Sequence, residues 1–357
     1  MPDLDHLPGR TLLLDGRQYL YCSGTGYLGM ARNPAFAALL AEGLARYGSN
    51  YGASRHGNLR LRVYEEAEQH LAAYTGAEAA LTVSSGYLAG QMAVRSLASA
   101  GRFEYAPGTH PAAWLADQPT AAAASPLPYS AWAADLLRRL RAELPAPVVI
   151  VTNSLDPLRV ERYDFGWVRQ LPTDRPVTLL VDDSHGFGVT GPDGAGIFAE
   201  LSVPRGVRLV VVSSLAKAAG VPGGVVLSDA TFIGQLRGSA FFGASSPVVP
   251  AYLYALVRAT EVYRQARAQL RRNVRQFHAA TSGLALFQSA PDFPVFYTPY
   301  TALCEFLYAR GVLISSFPYP TPSSAHITRV VLSALHTADD VARVAARCRE
   351  FAWQLRQ

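Results

Sequence analysis

A large α/β domain on a mainly parallel sheet, with a smaller α/β domain after it, is the fold class the sequence predicts. Three observations carry this. Short apolar runs without alternation, each closed by small polar residues, take turns with amphipathic helical stretches, as strands do when helices cover both faces of a sheet. At 357 residues the chain is longer than one core usually serves. The polar residues that close the apolar runs fall where such sheets gather their functional groups, just past the carboxyl ends of the strands.

Taken in order, residues 33–47 read as a helix stopped by Gly48, and 62–73 as a second, closed by YTGAEA. AALTVSS is a short buried strand and GYLAGQMAVRSLAS the helix after it. PVVIVTNS, PVTLLVDDSH and VRLVVVSS are further buried strands. Beyond Pro247 one long helical stretch, 251–279, leads to strands at DFPVFYTP, GVLISSF and TRVVLSAL and to a terminal helix from Ala338. The division read from this is an N-terminal segment (1–45), a large domain (46–250) and a small C-terminal domain (251–357), with an Ala/Pro-rich connection at 120–128.

With 50% hydrophobic and 17% charged residues, the composition is that of a globular enzyme. No run approaches the length of a membrane span. MPDLDHLPGRTLLLDG has acidic residues and proline where a secretory signal needs a basic start, so a cytoplasmic protein is expected. Cys22, Cys304 and Cys348 are too scattered for a disulfide framework or a zinc site. The net charge of +5 is spread along Arg-bearing helices, which suits anionic ligands and argues against a nucleic-acid partner.

Of the 32 basic residues only Lys217 is a lysine. A surface cation is served equally by arginine, but an amine that must lose its proton and attack a carbonyl is not. The alternative is an Arg-favouring composition that left one lysine by accident. The neighbours favour chemistry. LLVDDSHGFGVTG ends a buried strand with Asp182, Asp183 and His185, and a carboxylate there needs a partner such as a protonated pyridine nitrogen. Ser214 precedes the lysine and Gly220, Gly223 and Gly224 follow it, while upstream SSGY opens a helix whose first N–H groups suit a phosphate. Phosphate cradle, aspartate and lysine in this order point to pyridoxal 5′-phosphate.

The chain resembles the α-oxoamine synthases, the fold-type-I pyridoxal-phosphate enzymes that include 8-amino-7-oxononanoate synthase, 2-amino-3-ketobutyrate CoA ligase and serine palmitoyltransferase. YLGMARNPAF, YGSNYGASRHGN, SSGYLAG, VDDSHGFGVTGPDGAG and ITRVVLSALHTADDV carry the likeness along nearly the whole chain. It implies an aspartate aminotransferase-like fold, Lys217 as the Schiff-base lysine, Asp182 as the partner of the ring nitrogen and His185 as that of the ring's phenolic oxygen. Ser85, Gly86, Tyr87 and Ser214 would hold the phosphate, with Ser214 where the family usually has threonine. His110 would stack on the ring, unless it is a plain loop histidine. Ser154 matches the serine after the preceding strand, and Arg329 the arginine that pairs with the substrate carboxylate.

Three departures stand out: Thr25 replaces an asparagine that shapes the substrate pocket, Gly90 replaces the asparagine of SGYxAN, and Tyr64 falls near a usual histidine. The chain is also short between Pro111 and Arg162. The implied activity is decarboxylative condensation of a small amino acid with an acyl-CoA, as in biotin biosynthesis, by a homodimer in which FFGASSP (241–247) reaches the neighbouring cofactor. The alternatives are an aminotransferase, which shares the first half of the chemistry, and a cofactor-binding protein without turnover.

Overall fold

The computed structural model describes residues 3–115, 127–319, 321 and 323–357. The connection expected at 120–128 lies outside these residues except for its last two. The chain forms two compact units, one of residues 34–155 and 162–260, the other of residues 1–33, 156–161 and 261–357.

The larger unit holds a six-stranded sheet in the order Ala79–Val83, Gly224–Ser228, Val207–Ser214, Val177–Asp182, Val148–Asn153, Arg102–Tyr105. The last four run parallel to one another. Val148–Asn153 and Val177–Asp182 are buried at every residue, as non-alternating apolar runs require when both faces are covered. The strand Gly224–Ser228, absent from the sequence reading, is antiparallel to both its neighbours. The short loop after Ser214 allows no helical crossover, so the chain turns straight back. Helix Gly86–Ser96 lies against this sheet through Ala89, Met92, Ala93 and Val94.

The smaller unit holds a second six-stranded sheet, in the order Thr11–Leu14, Arg17–Cys22, Val312–Pro318, His326–Val331, Val295–Thr298, Gln288–Ser289. Only Arg17–Cys22 and Val312–Pro318 pair in parallel. The three strands read near the C-terminus are all present. The first two strands form a hairpin whose turn residues Asp15 and Gly16 have φ of 50° and 72°, the left-handed pair that an Asp-Gly turn favours. The terminal helix Ala338–Gln354 starts on a capping box of Thr337 and Asp340. The single stretch expected at 251–279 is two helices, Pro250–Arg258 and Thr260–Thr281, separated at Ala259; the interruption falls where the chain passes from one unit to the other. Among the described residues no helix is long and apolar enough to cross a membrane.

Candidate active site

In the larger unit the parallel register brings strand ends level: Asn153 is opposite Asp182, and Asp182 opposite Val212. Asp182 is 9% exposed and its Oδ1 accepts the Ser184 N–H at 2.9 Å. Its main chain is fixed on one side, where the Ser154 N–H donates to its carbonyl. The Ser184 hydroxyl accepts the Ser214 N–H at 2.9 Å, tying the aspartate turn to the end of the next strand.

Lys217 lies in the loop that follows Ser214. Leu215 N–H donates to the Gly223 carbonyl and Val221 N–H to the Leu215 carbonyl, closing the loop around the half-buried lysine. Gly220, at φ 65°, makes the turn a side chain would resist. Ser85 caps helix Gly86–Ser96, its hydroxyl accepting the Leu88 N–H at 3.0 Å. A Cβ on Gly86 would lie 2.5 Å from the Ser214 Cβ, so Ser85, Gly86, Tyr87 and Ser214 meet at one close-packed corner. Tyr87 itself is 59% exposed.

His110 faces the same strand end. Its Nδ1 accepts the Ala112 N–H at 3.1 Å, and the His110 main-chain N–H donates to Asn153 Oδ1. Nδ1 stands 4.0 Å from Asp182 Oδ2. Burial holds the imidazole below its ordinary pKa against the pull of Asp182, so the neutral ring is favoured. Asn153, which also donates to the Gly108 carbonyl, is marked in the sequence by its place at a strand end but carries no role there.

Asp183 turns the other way. It is 2% exposed, and its Oδ2 accepts the Ile197 N–H at 2.9 Å while Oδ1 is buried without a partner. Burial, the largest influence, pushes this carboxyl up to about 7, against the opposite pull of the neighbouring Ser154 hydroxyl.

Thr25 and Arg329 belong to the smaller unit. The half-buried Thr25 gives its carbonyl to the Tyr27 N–H. Arg329 lies mid-sheet opposite Tyr297 and Ser315, 5% exposed. Its Nη1 donates to the Pro157 carbonyl at 2.7 Å, and its Nε is buried with no acceptor.

The donor set fits pyridoxal phosphate. The first N–H groups of helix Gly86–Ser96 suit an anion, Asp182 offers a carboxylate to a ring nitrogen, and Lys217 offers the amine of the only lysine. Two departures also have local causes. A Cβ on Gly90 would lie 2.4 Å from the Ala112 carbonyl oxygen, so the turn beginning at His110 packs where a side chain would stand. Tyr64 is buried, donates to the Val248 carbonyl at 2.9 Å and lies under the Arg55 guanidinium, a core role.

Residues 164–347 match the family model for aminotransferase class I and II. The chain is 30% identical over 363 residues to 8-amino-7-oxononanoate synthase of Dechloromonas aromatica, covering 96% of this chain and 92% of that protein. It is 31% identical over 352 residues to the protein of the same name from an Azoarcus species, covering 93% and 88%. Among solved structures, serine palmitoyltransferase of Sphingomonas wittichii superposes with a TM-score of 0.78 at 20% identity, over 98% of this chain and 90% of that one. The 8-amino-7-oxononanoate synthase of Francisella tularensis does so with a TM-score of 0.71 at 19% identity, over 94% and 99%.

Proposed function

The chain belongs to the α-oxoamine synthase family of fold-type-I pyridoxal-phosphate transferases, and from that membership we propose that it condenses a small amino acid with an acyl-CoA. A bond forms between the amino-acid Cα and the thioester carbonyl carbon as the carbon–sulfur bond breaks. The carboxyl group leaves as carbon dioxide and a proton takes its place, giving an α-amino ketone and free CoA. The bound cofactor supplies a sink for the Cα electrons.

The chain's own residues do the rest. Asp182, anchored by Ser184, holds a proton at the ring nitrogen. Lys217 would hold the cofactor through Nζ and, as a free amine, take the substrate's α-proton there. His185 donates to the ring's phenolic oxygen, the neutral His110 covers the ring, and the corner of Ser85, Gly86, Tyr87 and Ser214 binds phosphate. Ser154, its N–H bonded to the Asp182 carbonyl, helps to hold that strand end. Arg329 receives the amino-acid carboxylate, and Thr25 helps to bound the substrate. The observation that carries the reading is the placing of the only lysine on the loop next to the Asp182 strand end.

The working enzyme is a homodimer, which the 43% exposed Phe241 of FFGASSP supports. Free Cys22, Cys304 and Cys348 suit a reducing cytoplasm. Thiol release from acyl-CoA that depends on an added amino acid tests the function. A keto acid formed from the amino acid instead, with no thiol, would indicate an aminotransferase.

A further inference from the structure

The segment 155–162 forms a small hairpin from strands Leu155–Asp156 and Glu161–Arg162. Asp156 pins its turn: one carboxylate oxygen, Oδ1, accepts the N–H groups of Leu158 at 2.7 Å and Arg159 at 3.2 Å, an Asx turn. Val160 has φ 63° and is 3% exposed. A β-branched residue in the left-handed region is a true outlier, kept only where its surroundings over-determine it. In the same turn the Pro157 carbonyl accepts Arg329 Nη1 at 2.7 Å. The guanidinium is further held by the Phe317 ring, 5.5 Å from Cζ. Nη1 is therefore occupied, and Nε is a buried donor with no acceptor.

We propose that the hairpin 156–161 is a positioning element for substrate recognition: the Pro157 carbonyl fixes Arg329 so that the Nε and Nη2 edge alone is offered, side-on, to the amino-acid carboxylate. This rests on the proposed role of Arg329. A guanidinium offers a carboxylate two bidentate edges; with Nη1 drawn to the Pro157 carbonyl and Nε left buried without an acceptor, the side-on edge is the one favoured. Asp156 acts by geometry, through its turn, rather than by its charge, although that charge also faces Arg329.

Three variants of the holoenzyme separate these. Asp156→Asn keeps the acceptor and loses the charge, Asp156→Glu keeps the charge and carries its oxygens too far for the turn, and Asp156→Ala loses both. Two readouts are taken: modification of Arg329 by phenylglyoxal, followed by peptide mass spectrometry, and the affinity of glycine, alanine and serine from the change in cofactor absorption without CoA. Asp156→Glu and Asp156→Ala should label Arg329 several-fold faster and bind the amino acid about tenfold more weakly, while Asp156→Asn stays within about twofold of wild type. Asp156→Glu carries the test should Asp156→Ala not fold. Unchanged labelling in Asp156→Glu, or an Asp156→Asn as impaired as Asp156→Ala, overturns the proposal. If no amino acid perturbs the wild-type absorption, the functional reading fails, and the labelling still decides the role of the hairpin.

Discussion

His110 Nδ1 stands 4.0 Å from Asp182 Oδ2, with its lone pair already taken by the Ala112 N–H. The imidazole is thus kept neutral, which leaves Asp182 free for its proposed role toward the ring nitrogen. Asp182→Asn should retain cofactor but lose about 100-fold or more in turnover, because an amide holds that proton poorly. Asp183→Asn should be much milder. Steady-state kinetics on the two holoenzymes decides it, and equal rates for Asp182→Asn and wild type would reject the role.

The second aspartate gives a pH signature instead. Asp183 titrates near 7 in the folded chain, raised by burial, and at about 3.9 when unfolded. Between these values the folded state binds the extra proton, so this group's contribution to stability falls as pH rises through that window. Asp183→Asn should therefore gain in melting temperature relative to wild type between about pH 5 and pH 8. A difference that does not move with pH would contradict the buried, raised carboxyl.

Restoring the asparagine common in the family should harm this protein. Gly90→Asn would drive a Cβ to within 2.4 Å of the Ala112 carbonyl oxygen, and backbone cannot swing aside as a side chain can. A loss of about 1–3 kcal/mol is expected in denaturant unfolding, with weakened cofactor binding because Ala112 anchors His110. A neutral effect would mean that the turn is not held where described.

The proposed dimer is checked by light scattering, which should give twice the 38.4 kDa chain mass. Phe241→Asp, which buries a charge in the proposed interface, should lower both that mass and activity. A fully active monomer would refute the arrangement.

The parts of this molecule legible in the sequence are those written locally. The Asp182–His185 turn follows an apolar run buried at every residue, and Lys217 one buried from Val210 to Ser213, so their place at strand ends could be read directly. The N-terminal hairpin had a local signal too, Asp15-Gly16, but its pairing with Val312–Pro318 joins residues nearly three hundred apart and leaves no pattern in either stretch. The need for glycine at 90 comes from a carbonyl 22 positions away, and the left-handed Val160 contradicts its own residue preference. Ser154 sits at the strand end read for it, and its main-chain bond to the Asp182 carbonyl comes from the pairing of two strands, which neither stretch shows alone.

The most direct test of the central claim follows both co-products at once. Holoenzyme is incubated with carboxyl-labelled glycine, alanine or serine and with acyl-CoAs of short, medium, long and dicarboxylic chain. One matched pair should release labelled carbon dioxide and free thiol in equal amounts, and Arg329→Ala should suppress both. Labelled keto acid with no thiol from any thioester, or thiol release that does not depend on the amino acid, would contradict the account.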